Sequence, residues 1–321
     1  MKAVRIHAYG GPEVLAYEDV ADPSPGPGEA LIEIRAAGVN FADIGIRSGR
    51  NPVNLPSIIG REASGVVSST GDNVSEVRPG DLVAYTGVHG SYADMVVAPS
   101  WLLVKLPKGM SARTGAATML QGMTAHCLAY DVYQLKPGDK AVVHAGAGGT
   151  GLLLIQMAKR LGAHVFATVS SEAKAAIARG VGADQVIIYT EEDFEQAVMK
   201  ATAGEGVQVV YDAVGRTTFE KGFRCLAPRG CLVLYGQASG QVTWLDTRAM
   251  IRGSYSFIRP LLNHYTQSRA ALLHKASDVL NWVQSGELAI RIHASIPLSE
   301  AREAHRELEG RLSSGKILLI P

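Results

Sequence analysis

Three cysteines, Cys127, Cys225 and Cys231, are an odd number with no C-x-x-C spacing in 321 residues. That leaves no basis for a disulfide framework or a cysteine-built zinc cluster, and reduced core thiols are expected. Charge of one sign is lacking too: 31 Lys and Arg against 30 Asp and Glu remove the field that would recruit nucleic acid or an anionic membrane. No apolar run approaches the ~20 residues of a membrane span. The KAVRIHA run after Met1 lacks the basic, apolar and small-residue succession of a signal peptide, so a cytoplasmic setting is expected. No internal repeat or low-complexity segment stands out. What is present is 47% hydrophobic residues, enough for two domains with their own cores at about 100–200 residues each.

Residues 1 to about 120 read as short alternating strands cut by turn signals. Leu31 to Ile34, Ser64 to Ser68 and Leu82 to Tyr85 are the clearest strands, separated by ADPSPGPGE (21–29) and RPGD (78–81). A helix from Ser111 to Asp131 follows, with Ser111 as N-cap candidate. From Lys140 strands and helices alternate. AVVHA, HVFATV, QVIIY, VQVVYD (207–212) and GCLVLYG (230–236) are separated by helices reaching Leu161, over Glu172–Arg179, near Phe194–Lys200 and over Thr217–Cys225. This alternation predicts a doubly wound parallel sheet that binds ligands beyond the carboxyl ends of its strands. The tail offers a helix over Arg269–Trp282, strand-like segments near Ile290 and over Lys316–Ile320, and between them an amphipathic helix over Ser299–Leu308 with five charged residues.

The stretch Gly138–Gly162 organises the second half. Its Pro137-Gly138 turn, apolar run Ala141–His144 and glycine-rich bend lead into helical spacing at Leu152, Ile155, Gln156 and Lys159. Gly146, Gly148 and Gly151 have G-x-G-x-x-G spacing, which lets the chain turn sharply and a pyrophosphate approach the helix N-terminus. AHVFAT (163–168) supplies the second strand of the βαβ unit at the expected span. A dinucleotide site is expected here.

Several runs now mark a resemblance: GDKAVVHAGAGGTGLLLIQMAK (138–159), GGPEVL (10–15), GVNFAD (38–43), IRSG (46–49), GREASGVV (60–67), PGDLV (79–83), YDAVG (211–215) and SSGKILLIP (313–321). Together they are similar to the quinone oxidoreductase and zeta-crystallin family of the medium-chain dehydrogenase/reductase superfamily, across essentially the whole chain, with Val142 where Leu is usual. The resemblance implies a chaperonin-10 (GroES)-like β domain, 1–122 with 266–321, and a Rossmann-type domain, 123–265, with the active site in the cleft between them and a homodimeric assembly. Zinc-dependent members of the superfamily carry Cys where this chain has Asn40 and Gly-His-Glu where it has Gly60-Arg61-Glu62, so a zinc-free site is expected. An amide and a permanently protonated guanidinium are poor zinc ligands. Glu62 is read as a salt bridge or backbone clamp.

The end of the second strand holds Ser170-Ser171 where an NAD site places Asp or Glu. Lys174 lies one turn on, and the resemblance adds Tyr189 and Arg311 on the 2′-phosphate and adenine side, so NADPH is the expected cofactor. Glu172 is assigned to the helix dipole. The resemblance places Asn40, Thr124, Gly146, Ala147, Gly148, Gly149, Thr150, Gly151, Gly236 and Phe257 among the remaining cofactor contacts. Without a metal to polarise a carbonyl, the hydride acceptor must itself be electrophilic, a quinone or an enone. Asn40 is the expected donor to developing negative charge, with Gln121 and Thr124 as helpers.

One departure concerns the pocket. Related bacterial enzymes carry tyrosines at the positions of Gly45 and Asn51, and their loss predicts a wider pocket with less stacking surface; Trp244, Tyr255 and Phe257 are candidates to restore apolar lining. The alternatives are a reductase of enones, alkenals or enoyl thioesters, and a non-catalytic NADPH-binding, RNA-binding or crystallin-like structural role. The near-neutral charge gives RNA little support.

Overall fold

The structure is a computed structural model that describes residues 1–321, and its first strands follow the alternation of buried and open side chains that a pleated sheet imposes. In order they are β1 (Lys2–Ile6), β2 (Leu15–Asp19), β3 (Glu29–Val39), β4 (Ser57–Ile58), β5 (Glu62–Thr70), β6 (Leu82–Thr86), β7 (Met95–Pro99) and β8 (Val104–Lys105). Helix α1 (Phe41–Arg47) separates β3 from β4, and α2 (Ala112–Cys127) follows β8. The helix read to Asp131 leaves α-geometry at Cys127 and passes into a π turn over Leu128–Val132.

Eleven parallel-sheet and helix elements come next: β9 (Lys140–Val143), α3 (Gly149–Arg160), β10 (His164–Val169), α4 (Glu172–Gly180), β11 (Gln185–Ile188), α5 (Phe194–Ala201), β12 (Val207–Asp212), α6 (Phe219–Arg224), β13 (Leu226–Leu234), α7 (Thr247–Ile251) and β14 (Ser256–Ile258). The strand order is β11-β10-β9-β12-β13-β14, all parallel. Numbered within the sheet this is 3-2-1-4-5-6, the Rossmann order, whose switch point lies between β9 and β12. Val142, Val143, Val165, Val209, Val210 and Leu232 are fully buried, as expected for strands covered on both faces. Two boundaries differ from the sequence reading. β13 starts at Leu226 rather than Gly230, because Pro228 and Gly230 look like turn residues while the chain absorbs them in a register shift, with Arg229 at φ 65°. Helix α6 starts after Thr218, whose hydroxyl is held by the Asp212 carboxylate at 2.8–2.9 Å.

After Tyr265 the chain returns to the first body with α8 (Arg269–Ser285), β15 (Ile292–Pro297), α9 (Ala301–Glu309) and β16 (Lys316–Ile320). Its two units are Met1–Gln121 with Thr266–Pro321, and Gly122–Tyr265. In the β unit the main sheet runs β15-β16-β3-β5-β6-β8, with β7 also on β3. Ile32, Val67, Val83, Tyr85, Leu103 and Leu319 form part of its core. The register Ile317↔Val39 between β16 and β3 decides the site described next: it brings Lys316 beside Asn40 although 276 residues separate them.

Candidate functional site

Asn40 follows β3 and caps α1, its backbone N–H donating to Asp43 Oδ2 at 2.9 Å. Its side chain is buried at 7% exposure and fully engaged. Nδ2 donates to Gly38 O and to Glu62 Oε2, both at 3.1 Å, while Oδ1 accepts from Lys316 Nζ at 2.9 Å. These partners fix the amide orientation, because an ammonium can only donate and a carboxylate only accept. The expectation that Asn40 donates to a substrate oxygen is therefore revised: both amide hydrogens are already used inside the β unit.

Glu62 and Lys316 form an ion pair with side chains 0% and 1% exposed. Glu62 Oε1 also accepts the Leu120 N–H at 2.5 Å, so Glu62 is both salt bridge and backbone clamp, as read from the sequence. A zinc ion does not fit this cluster. The ammonium of Lys316 already bonds Asn40 Oδ1 and Glu62 Oε2, and neither an ammonium nor an amide is a zinc ligand.

A second buried chain of bonds joins α1 to α9. Arg47 Nη1 donates to His305 Nδ1 at 3.1 Å, and Tyr92 Oη lies 3.1 Å from His305 Nε2 and 3.1 Å from Asp43 Oδ2. A guanidinium can only donate, so His305 carries its proton on Nε2, gives it to Tyr92 Oη, and Tyr92 gives its own to Asp43. Burial first, then the Arg47 charge, depress His305 to about 3. Burial pushes Asp43 up to about 7 against its hydrogen bonds and the Lys316 charge.

In the second unit, β9 ends at Val143 and the turn from His144 to Gly148 opens onto α3. Gly148 is the N-cap and offers no side-chain cap. The N–H groups of Gly149, Thr150 and Gly151 have no acceptor in helix geometry, and the helix dipole makes their position attractive to an anion. Gly151 is required by close approach: a Cβ there would lie 2.3 Å from Ala145 O. Gly146 and Ala147 complete the turn, Gly146 being pressed to Ala167 of β10. Across the switch point, buried Asp212 accepts from Val214 N at 2.7 Å and Gly215 N at 3.0 Å, and so fixes the YDAVG loop beside the cradle strand. Buried His144 is bonded through Nδ1 to Thr168 Oγ1 at 2.8 Å, and burial pulls its pKa below the usual value.

The carboxyl ends of β10 and β11 meet, with Tyr189 N donating to Val169 O and Thr190 Oγ1 to Ser170 O. Ser171 caps α4 and Lys174 stands in its first turn. Glu172 turns along the helix to Arg179, at 2.5 Å, so the acid that opens α4 is engaged elsewhere. Gly236 follows β13, its N–H on Asp212 O at 3.2 Å. Phe257 on β14 packs edge-on against Phe219 at 5.4 Å, and Tyr255 packs on the same core cluster with its hydroxyl on Leu226 O; Trp244 is 67% exposed. Arg311 follows α9 at φ 57° in the β unit. Gln121 and Thr124 sit three residues apart on α2, hence on one helix face.

Gly45 and Asn51 are neighbours. A Cβ on Gly45 would lie 2.6 Å from Asn51 Nδ2, and Asn51 N donates to Gly45 O at 2.9 Å. The two missing aromatic positions thus belong to one spot. Sequence reasoning passed over Lys316 and Asp43, whose signal was a single charge at the edge of an otherwise apolar strand or helix.

Two family profiles match the chain: alcohol dehydrogenase GroES-like domain over residues 26–108 and zinc-binding dehydrogenase over 149–277. A quinone oxidoreductase of Pseudomonas aeruginosa is 40% identical over 100% of this chain and 99% of that protein. A 2-haloacrylate reductase from Burkholderia sp is 37% identical over 99% of this chain and 98% of that protein. The crystal structure of an Escherichia coli quinone oxidoreductase complexed with NADPH superposes with a TM-score of 0.98 at 37% identity, covering 100% of both chains.

Proposed function

This chain belongs to the quinone oxidoreductase family of the medium-chain dehydrogenase/reductase superfamily, and from that premise we propose that it is an NADPH-dependent oxidoreductase that reduces a quinone. The observation that carries the proposal is the cradle. An uncapped helix N-terminus stands at the Rossmann switch point, and after β10 come Ser170, Ser171 and Lys174, with Glu172 at the start of α4 paired to Arg179. The bound cofactor supplies a hydride; with one proton added, a quinone becomes a hydroquinone.

The chain's own contribution is holding and orientation. The N–H groups of Gly149, Thr150 and Gly151 bind the pyrophosphate, with Gly146, Ala147 and Gly148 giving it room. Lys174, with Tyr189 and Ser170 of the same unit, meets the 2′-phosphate and adenine side as a charge that NADH cannot use; Arg311 is carried only by the family resemblance. Gly236 and Phe257 complete the cofactor contacts. Gln121 and Thr124 present polar groups from one face of α2 toward the acceptor. Asn40 is assigned a positioning role: it ties Lys316 and Glu62 to the end of β3 and, through Glu62, to the backbone of α2 at Leu120. Positioning of this kind raises effective concentration without covalent chemistry.

A second reading is the reduction of an electron-poor double bond conjugated to a carbonyl. It is favoured by the vacated aromatic spot at Gly45 and Asn51, and the 2-haloacrylate reductase is named for such an acceptor. A homodimer working in the cytoplasm is part of this proposal, carried by the family resemblance; sedimentation of the purified protein checks the first. The test of the activity is steady-state NADPH oxidation with 1,4-benzoquinone, 9,10-phenanthrenequinone and an alkenal. Quinone turnover with NADPH well above NADH is expected, and turnover of the alkenal alone transfers the assignment to the second reading.

A further inference from the structure

Arg61, next to the clustered Glu62 in sequence, is a fixed cation with no partner. It forms no ion pair or side-chain hydrogen bond, and its Nε is shielded from solvent with no acceptor. Glu62, next in sequence, sends its carboxylate inward to Asn40 and Lys316, while Arg61 itself precedes β5 and takes part in neither bond. Its backbone is clamped. The carbonyls of Ile59, Gly60 and Arg61 accept from Tyr92 N at 3.0 Å, Gly90 N at 3.0 Å and Gly87 N at 2.8 Å. Gly60 sits at φ 90° where a Cβ would lie 2.3 Å from the Tyr92 ring. The nearby loop holds His89, which burial and then the Arg61 charge pull below its usual value. Thr86 Oγ1, on β6 opposite Glu62, is a second buried polar atom without a partner. Asp43 is the carboxylate that feels Arg61 electrostatically, yet its Oδ1 also stays unpaired, so no carboxylate of the fold neutralises the guanidinium.

A guanidinium presents five donors in a planar fork that matches a carboxylate, and a buried donor left unmade destabilises the fold. A half-buried arginine on a clamped backbone, with a shielded Nε that the fold does not pair, is open to a ligand anion. We propose that Arg61 is a specificity-determining residue that binds the carboxylate of an acidic, electron-poor acceptor, such as an α,β-unsaturated acid or a quinone carboxylate. This deepens the reading of the site given above and rests on it for the hydride step. Asn40, whose hydrogens are spent, does not compete for the anion.

The experiment compares the wild type with Arg61→Met and Arg61→Lys in two ways. In steady-state assays with NADPH, the ratio of kcat/KM for 2-chloroacrylate to that for the neutral 1,4-benzoquinone falls about tenfold or more in Arg61→Met, mainly through KM. Arg61→Lys keeps part of it, as a charge without the fork. The wild-type KM for 2-chloroacrylate rises with salt, and that salt dependence is lost in Arg61→Met. Independently of turnover, calorimetry with NADP⁺ present measures benzoate against benzamide. Wild type is expected to prefer benzoate, and Arg61→Met to lose the preference. Equal treatment of benzoate and benzamide by wild type and variant overturns the inference and leaves Nε to an ordered water. If wild type oxidises NADPH with neither acceptor while the benzoate preference holds, the hydride reading falls and the anion site stands.

Discussion

Lys316 and Glu62, 254 residues apart, meet as a fully buried ion pair at the place where β16 joins β3. Removing one partner leaves the other charge uncompensated in the interior. Lys316→Met is expected to lower unfolding free energy by about 3–5 kcal/mol, and the double variant Lys316→Met/Glu62→Leu to recover most of it. Denaturant melts of the three proteins measure this.

Asn40 serves that pair. Asn40→Ala takes one acceptor from Lys316 and one donor from Glu62, and is expected to cost about 1–3 kcal/mol of stability as well as turnover. A fall in kcat with an unchanged melting curve would restore the role of direct donor to substrate.

Gly151→Ala would place a methyl group against Ala145 O and force α3 away from the turn. NADPH affinity is expected to fall about tenfold or more. The stabilisation by saturating cofactor then shrinks by roughly 1.4 kcal/mol or more, read as a smaller thermal shift.

Lys174→Ala tests the 2′-phosphate corner. KM for NADPH is expected to rise roughly tenfold, the order of a charge-assisted contact, with KM for NADH little changed. An unchanged preference for NADPH contradicts the assignment.

Asp43 and His305 give opposite pH slopes. Asp43, raised to about 7 when folded from about 3.9 when unfolded, contributes stability at low pH that is lost as pH rises from 4 to 7. His305, held near 3 from about 6.5 when unfolded, contributes stability above pH 6.5 that is lost as pH falls toward 3. Between about pH 4 and 6.5 the two offset. Asp43→Asn keeps an acceptor for Tyr92 and removes the first slope, so its melting temperature is expected to fall more steeply than that of wild type on acidification through this window. Parallel profiles would contradict the assignment of these two groups.

The parallel sheet was legible because each strand is an apolar β-branched run bounded by turn residues, as VQVVYD shows by matching β12 end to end. Pro228 and Gly230 misled at β13, since a bulge uses the same residues as a turn. The cradle was legible for the same local reason: its glycines, strand and helix lie within one stretch. The cluster at Asn40 was not. Which of its groups are spent depends on β16 pairing with β3 and on helix α9 reaching Arg47, and those pairings carry no signal at the residues themselves. Reading Asn40 by residue type pointed to a free donor; only the positions of Gly38, Glu62 and Lys316 show where its hydrogens go.

Rapid mixing of the protein with NADPH and 1,4-benzoquinone, following nicotinamide absorbance with ordinary cofactor and with cofactor deuterated at C4, tests the central claim most directly. One NADPH consumed per quinone reduced, with a slower oxidation step for the deuterated cofactor, is the predicted result. No quinone-dependent loss of NADPH absorbance would contradict it.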